Sequence, residues 1–343
     1  MRTSTAKNVA LAVASTLLLA GLLEGVSRLA GPVGPAAAGG EIAGGHLRDV
    51  ETDWFEPDAD LLWRWRPGTT VRRRGSSPKR RHEWTCHINA QGRRGAPIPA
   101  SPGRPIVLCA GDSVTAGFGV DDAETYPVRL EELLRESAAT GGATVINAGV
   151  NGYSSEQGRL LLAREIPRWR PDVVIACYGI NDDGPTVYAD TDLLRANAVR
   201  STQRVLAASR AYQRLRAAIV GLKLRRAVAA RRVGPRVPLE RYRQNLRAIA
   251  ALARASGARL IFVAPTSSQE HSTGTEHQPL VAPLSVYRAA MASVALEERV
   301  PFVDDDLLSG RLPASRHAFN DFCHPDAAGL CLLARDLASA ISR

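Results

Sequence analysis

Behind Asp172 the chain runs Val-Val-Ile-Ala-Cys-Tyr, apolar throughout and without alternation. A strand of this kind has no polar face to give to water. Both its faces must be covered, which is the situation of a parallel sheet clad by helices on each side. The neighbouring sequence agrees. Short apolar runs at 106–110, 144–148, 259–264 and 301–303 read as further strands, and helical spacing fits 126–137, 155–168, 240–256, 283–299 and 326–341. Strands alternating with helices predict an α/β fold: a flavodoxin-like three-layer sandwich with a central parallel five-stranded sheet. In such a sheet a site is expected at the carboxyl ends of the strands. With 343 residues, 45% of them apolar, there is enough material for a sizeable core.

The first 104 residues are of another character. Arg2 and Lys7 precede an uncharged run from Asn8 to Leu23, which Glu24 ends. That run is short of the roughly 20 residues a spanning helix needs. It suits a signal-peptide core, or an anchor completed by 25–30. The small-x-small pattern of Ala36–Ala38 lies far downstream, so an uncleaved anchor is preferred, with secretion after cleavage as the alternative. Cations ahead of the run place the N-terminus inside and the body outside the cytoplasm. Residues 31–45 are rich in Gly, Pro and Ala and read as a flexible linker. Residues 46–104, with Trp54, Trp63 and Trp65 and many arginines, read as short strands and loops forming a small N-terminal extension. The body is expected over 105–343, with an Arg-rich helical insertion at 190–240.

Charge is uneven. The whole chain carries +10, yet 195–247 holds 15 Arg or Lys against the single acid Glu240. Within it, 205–224 spaces apolar residues among cations at a helical period. This is either a solvated surface helix or a helix lying on an anionic membrane or over the site. No nucleic-acid-reading motif accompanies the charge, so nucleic acid is an unlikely partner. The five cysteines are odd in number and lack a CxxC pair, which argues against a disulfide framework and a zinc site. Cys109 and Cys177 each lie four residues before a polar block, which predicts similar levels in the first and third strands.

The polar punctuation carries the chemistry. Gly111-Asp112-Ser113 follows the first strand, Asn147-Ala-Gly149-Val-Asn151-Gly152 the second, and Gly179-Ile-Asn181-Asp182 the third. Asp321-Phe-Cys-His324 stands near the C-terminus. A serine hydroxyl is a weak nucleophile until a base takes its proton. Histidine titrates near neutrality, and a carboxylate fixes its tautomer and orientation. Ser113, His324 and Asp321 supply that set. An oxyanion needs donors aimed where charge develops. The N–H groups of Gly152 and Ser113 and the side-chain amide of Asn181 are candidates. Asp112 and Asp182 are read as loop-ordering residues, and His271 and His277 as loop residues.

The blocks together resemble the SGNH (GDSL-type) hydrolases over about 105–342. The four signature residues of that family match Ser113, Gly152, Asn181 and His324, with Asp321 completing the triad. Gly149 is the other glycine of the second block; the Asn-x-x-x-x-Gly pattern favours Gly152. DADLLWRWRPG at 58–68 and HINAQGRRG at 87–95 resemble segments of membrane-anchored bacterial members. The resemblance implies ester hydrolysis, often of acetyl or short acyl groups on a carbohydrate, lipid or small-molecule substrate, without metal or organic cofactor. Thr115 stands where a G-x-S-x-G elbow would need glycine, so that alternative fold fails. An O-acyltransferase of the same fold, and a membrane-tethered module binding anionic polymer or lipid with an idle site, are the competing functions.

Overall fold

A computed structural model describes residues 2–30, 54–58, 60–74, 83–137, 140–186, 188–199, 209–212, 214–215, 218–219, 222, 226, 230, 234–265, 284–304, 319–320 and 323–343. The expected linker at 31–45, the pair His271 and His277, and Asp321 lie outside these residues, as does much of the Arg-rich stretch.

Five parallel strands form the centre: β5 (Ile106–Gly111), β6 (Thr144–Asn147), β7 (Val173–Cys177), β10 (Arg259–Val263) and β11 (Phe302–Val303). Their spatial order is β6-β5-β7-β10-β11, the flavodoxin-like arrangement. The chain adds β6 on one side of β5 and then β7 on the other, so the order reverses between β5 and β7. That reversal leaves a crevice at the carboxyl edge, because the loops after these strands turn to opposite faces of the sheet.

The strands are buried on both faces, and alternate residues serve different layers. Val107, Cys109 and Ile175 pack against α3 (Tyr126–Glu136) and α8 (Ala327–Ser342) through Leu130, Leu134, Leu330 and Leu333. Leu108, Ala110, Val174 and Phe262 share the opposite core with Leu161 and Leu162 of α4 (Ser155–Trp169), Leu246 of α6 (Leu239–Ala255) and Met291 of α7 (Leu284–Glu298). The sandwich read from the sequence is therefore the one observed, with element ends shifted by a residue or two. The cysteine levels need correction. Cys109 pairs with Ile175, and Cys177 pairs with Gly111. The register is set at the other end of the strands, where the Asp172 N–H donates to the Ile106 carbonyl at 2.9 Å. Cys177 accordingly lies two residues further along than Cys109. None of the five cysteines forms a disulfide among the described residues.

Two antiparallel hairpins precede the sheet: β1 (Phe55–Asp58) with β2 (Leu62–Trp65), and β3 (Thr70–Arg74) with β4 (Glu83–His87). Their aromatic side chains extend the core on the α4 side. Trp54, Phe55 and Trp65 stack on one another, and Trp84 meets Trp54 edge-on at 5.5 Å. Ahead of them, α1 (Arg2–Leu29) contains a window, Leu11–Leu29, of mean hydropathy 1.4 that is long and apolar enough to cross a membrane. Leu17, Leu18 and Leu22 stand exposed on it. Near its end the Glu24 carboxylate accepts from the Ser209 hydroxyl at 2.8 Å and from the N–H groups of Arg210 and Ala211 at 3.1 Å. This ties the helix to residues 209–211 of the basic stretch.

Close approach between α4 and the sheet gives a sharp test. A Cβ on Gly158 would lie 2.3 Å from Cζ of the buried Tyr178. Replacing a helical glycine by alanine ordinarily gains up to about 1 kcal/mol. Overpacking costs about 1–3 kcal/mol. Gly158→Ala should therefore destabilise the protein; an unchanged or raised urea midpoint would refute the tight contact.

Candidate active site

Ser113 opens a one-turn helix, α2 (Ser113–Ala116), directly after β5. Asp112 caps that turn, accepting the Val114 N–H at 2.9 Å, and Gly117 closes it at φ +82°. The hydroxyl lies within hydrogen-bond reach of an imidazole: His324 Nε2 is 2.7 Å from Ser113 Oγ. These residues are separated by 211 positions in the chain. His324 enters from the loop before α8. Its other ring nitrogen lies 3.6 Å from Cys323 Sγ.

The second block separates its two glycines by use. Gly149 donates its N–H to Asn147 Oδ1 at 3.1 Å, and its Cα packs so tightly on α2 that an added Cβ would meet the Ala116 nitrogen at 2.3 Å. Gly152 has φ +80°, a conformation that favours glycine. Among the described residues neither the Gly152 N–H nor the Ser113 N–H has an acceptor. Asn181, after β7, directs its amide at 3.3 Å to Asp112 Oδ2 and at 3.2 Å to the Tyr153 carbonyl. The structure thus gathers Ser113, Asn181 and His324 around Asp112 and sets Gly152 in the adjoining loop. Asp321 lies outside the described residues, so its relation to His324 is not part of this geometry.

Two buried carboxyl groups flank the site. Burial pushes Asp112 up to about 6, against the opposing pull of the Val114 N–H, the His324 charge and the Asn181 amide. Burial pushes Asp182 up to about 7, opposed by the Ser155 hydroxyl and N–H and by Arg236. Asp182 accepts both the Ser155 hydroxyl and the Ser155 N–H, and so orders the first turn of α4. The reading of these two acids as loop-ordering residues agrees with those contacts.

Several neighbours were not singled out from the sequence. Phe118 lies 4.6 Å from the His324 ring, and Trp84 packs edge-on against Phe118 at 5.3 Å. Arg94 donates to the carbonyls of Ala116, Gly117 and Val120 and pairs with Asp122 at 2.7 Å, holding the loop that leaves the serine turn. Asp190, which opens α5 (Asp190–Val199), forms a buried pair with Arg236 at 2.7 Å beneath the Gly152 loop. An arginine flanked by apolar residues and prolines, at 233–238, was the one available hint of a buried guanidinium. Among the described residues no group of three or more His, Cys, Asp or Glu side chains is arranged to hold a metal ion.

The sequence model of the GDSL-like lipase/acylhydrolase family matches residues 109–330. No curated protein matches the chain. Solved structures of similar shape include a lipolytic protein of the G-D-S-L family from Desulfitobacterium hafniense DCB-2, at 14% identity and TM-score 0.44, covering 69% of this chain and 99% of that one. LAE5, an alpha/beta hydrolase enzyme from the Lake Arreo metagenome, has 18% identity and TM-score 0.47 over 71% and 97% of the two chains. Axe2, an acetylxylan esterase from Geobacillus stearothermophilus, has 19% identity and TM-score 0.46 over 70% and 95%.

The raised Asp182 has a measurable consequence. Its folded pKa of about 7 lies above its unfolded value, which is about 4. The folded state therefore holds this proton more tightly, and the associated stability is complete below about pH 4 and lost as pH rises through about 7. Wild type should lose melting temperature relative to Asp182→Asn between about pH 5 and about pH 8. Parallel profiles for the two proteins would show that Asp182 is ionised throughout.

Proposed function

The chain belongs to the GDSL-like lipase/acylhydrolase family and is a serine ester hydrolase, and we propose that Ser113 is its nucleophile and His324 its base. The 2.7 Å contact between Ser113 Oγ and His324 Nε2 carries this reading. Ser113 Oγ attacks the ester carbonyl while His324 Nε2 takes its proton. The carbonyl oxygen becomes an oxyanion held by the N–H groups of Gly152 and Ser113 and by the Asn181 amide. The neutral Tyr153 carbonyl that now accepts from Asn181 is the weaker competitor, since hydrogen bonds to charged acceptors are roughly twice as strong. The intermediate collapses, the alkoxide leaves with the proton from His324, and an acyl-serine remains. Water deprotonated by His324 then releases the acid and restores Ser113. Asp321 is assigned the role of orienting His324, as the family resemblance implies. The proposed substrates carry acetyl or short acyl esters on a carbohydrate, lipid or small molecule.

Supporting this chemistry, the Ser113 N–H has no acceptor among the described residues and is available to a developing oxyanion. The Asp112 carboxylate aims the Asn181 amide from below. With short-chain p-nitrophenyl esters, Ser113→Ala should lower kcat by about 10³-fold or more. A fluorophosphonate should label wild type at Ser113. Full turnover by Ser113→Ala would remove Ser113 from the mechanism.

We further propose that α1 anchors the protein with its body outside the cytoplasm. The exposed leucines of Leu11–Leu29 and the cations Arg2 and Lys7 ahead of them support this reading. The full chain should stay with membranes through an alkaline carbonate wash, and deletion of residues 1–30 should release it. Recovery of the full chain in the soluble fraction would contradict the anchor.

A further inference from the structure

The loop that carries Gly152 is held by donors from distant parts of the chain. Trp65 Nε1 donates to the Gly149 carbonyl at 2.7 Å, Trp63 Nε1 to the Asn151 carbonyl at 3.2 Å, and Arg236 Nη1 to the Gly152 carbonyl at 2.8 Å. Trp63 and Trp65 belong to β2, and Arg236 lies within the basic stretch, directly after the short strand β9 (Gly234–Pro235), which pairs with β8 (Pro185–Thr186). All three donors are buried. Tyr153 returns a bond from its hydroxyl to the Trp63 carbonyl at 2.6 Å, and the Arg236 guanidinium lies 5.9 Å from the centre of a Trp63 ring.

The direction of these bonds matters more than their number. A peptide unit is planar and trans, so its C=O and the next residue's N–H point opposite ways in one plane. The Asn151 carbonyl and the Gly152 N–H share such a plane. Trp63 holds the oxygen end of that plane, and so fixes where the N–H end points. Arg236 holds the oxygen of the following plane, and Gly152, at φ +80°, is the joint between them. A donor on the oxygen also polarises the N–H across the same unit. Arg236 is itself immobile: it bonds Asp190 at 2.7 Å and Gln157 Oε1 at 3.1 Å.

We infer that Trp63 and Arg236 are positioning residues for the oxyanion donor, fixing the two peptide planes on either side of Gly152. The inference rests on the esterase reading above. It gives Trp63, alone of the two tryptophans on β2, a part in positioning the donor.

Trp65 supplies the internal comparison. Its bond is of the same kind and comes from the same strand, but the Gly149 carbonyl shares a plane with the Val150 N–H. That N–H donates to the Gly111 carbonyl at 3.1 Å and not to the site. The test measures p-nitrophenyl acetate hydrolysis by full-length wild type, Trp63→Phe, Trp65→Phe and Arg236→Lys. Active sites are counted by fluorophosphonate labelling, so that misfolded material does not enter kcat. Trp63→Phe should lower kcat per labelled site about tenfold or more, with the roughly 10²–10³-fold loss of a whole oxyanion donor as its upper limit, and KM little changed. Trp65→Phe should melt lower than wild type yet keep its kcat. Arg236→Lys should behave as Trp63→Phe if it folds; Trp63→Phe decides the matter if it does not. Equal effects of Trp63→Phe and Trp65→Phe on kcat, or no effect of either, would overturn the positioning role while leaving the esterase intact. A wild type without Ser113-dependent turnover or labelling would overturn the esterase reading, and the positioning role with it.

Discussion

Asp172, directly before β7, accepts the Ile106 N–H on its carboxylate at 2.7 Å, while its own N–H donates to the Ile106 carbonyl at 2.9 Å. This clasp sets the parallel register of the two central strands, pairing Val107 with Val173 and Gly111 with Cys177. A parallel ladder has no tight turn to fix its register, because its strands are joined by long crossovers. The site depends on that register. It brings the turn of Ser113 and the loop of Asn181 to one edge, close enough for Asp112 to bond both the Val114 N–H and the Asn181 amide. A slip of one residue would exchange the core faces of every strand residue.

The loops at that edge contain glycines and would sample many conformations if left alone. They are held instead by buried donors. A neutral hydrogen bond contributes about 0.5–1.5 kcal/mol net. Removing one partner of a buried ion pair costs about 3–5 kcal/mol. By these magnitudes Arg236, paired with Asp190 at 1% side-chain exposure each, dominates the stability of the Gly152 loop. The Trp63 bond adds little to stability and much to direction. The histidine side is braced by packing: Trp84 of β4, Phe118 and His324 form a chain of ring contacts. The hairpins therefore reach both halves of the site.

Much of this was legible in the sequence for a clear reason. Strands buried on both faces leave long apolar runs, and the loops at their ends must be polar or glycine-rich. Ser113, Gly152, Asn181 and His324 all stand in such punctuation, and three of them follow strands whose existence the apolar runs declared. Trp63, Trp84 and Arg236 stood in no such pattern. A tryptophan among arginines reads as surface or core equally well, and an arginine in a stretch of fifteen cations reads as solvated. Their significance comes from partners 88 and 84 residues away for Trp63 and Arg236, and such pairings leave no local trace. The different levels of Cys109 and Cys177 leave no local trace either, since counting back from Ser113 and Asn181 assumes equal loop lengths.

The sequence by itself determined the alternation of strands and helices, the double burial of the sheet, the apolar N-terminal helix and the residue types gathered for acyl chemistry. These follow from local composition, because hydrophobic periodicity and turn residues act over a few positions. The tertiary structure decided which of the Gly149 and Gly152 N–H groups meets an acceptor among the described residues, that Ser113 and His324 meet, and that Trp63 of a preceding hairpin bonds the Asn151 carbonyl of the loop. Those outcomes depend on register, chain crossover and the placement of buried donors, and each is fixed only when distant segments pack together and exclude water.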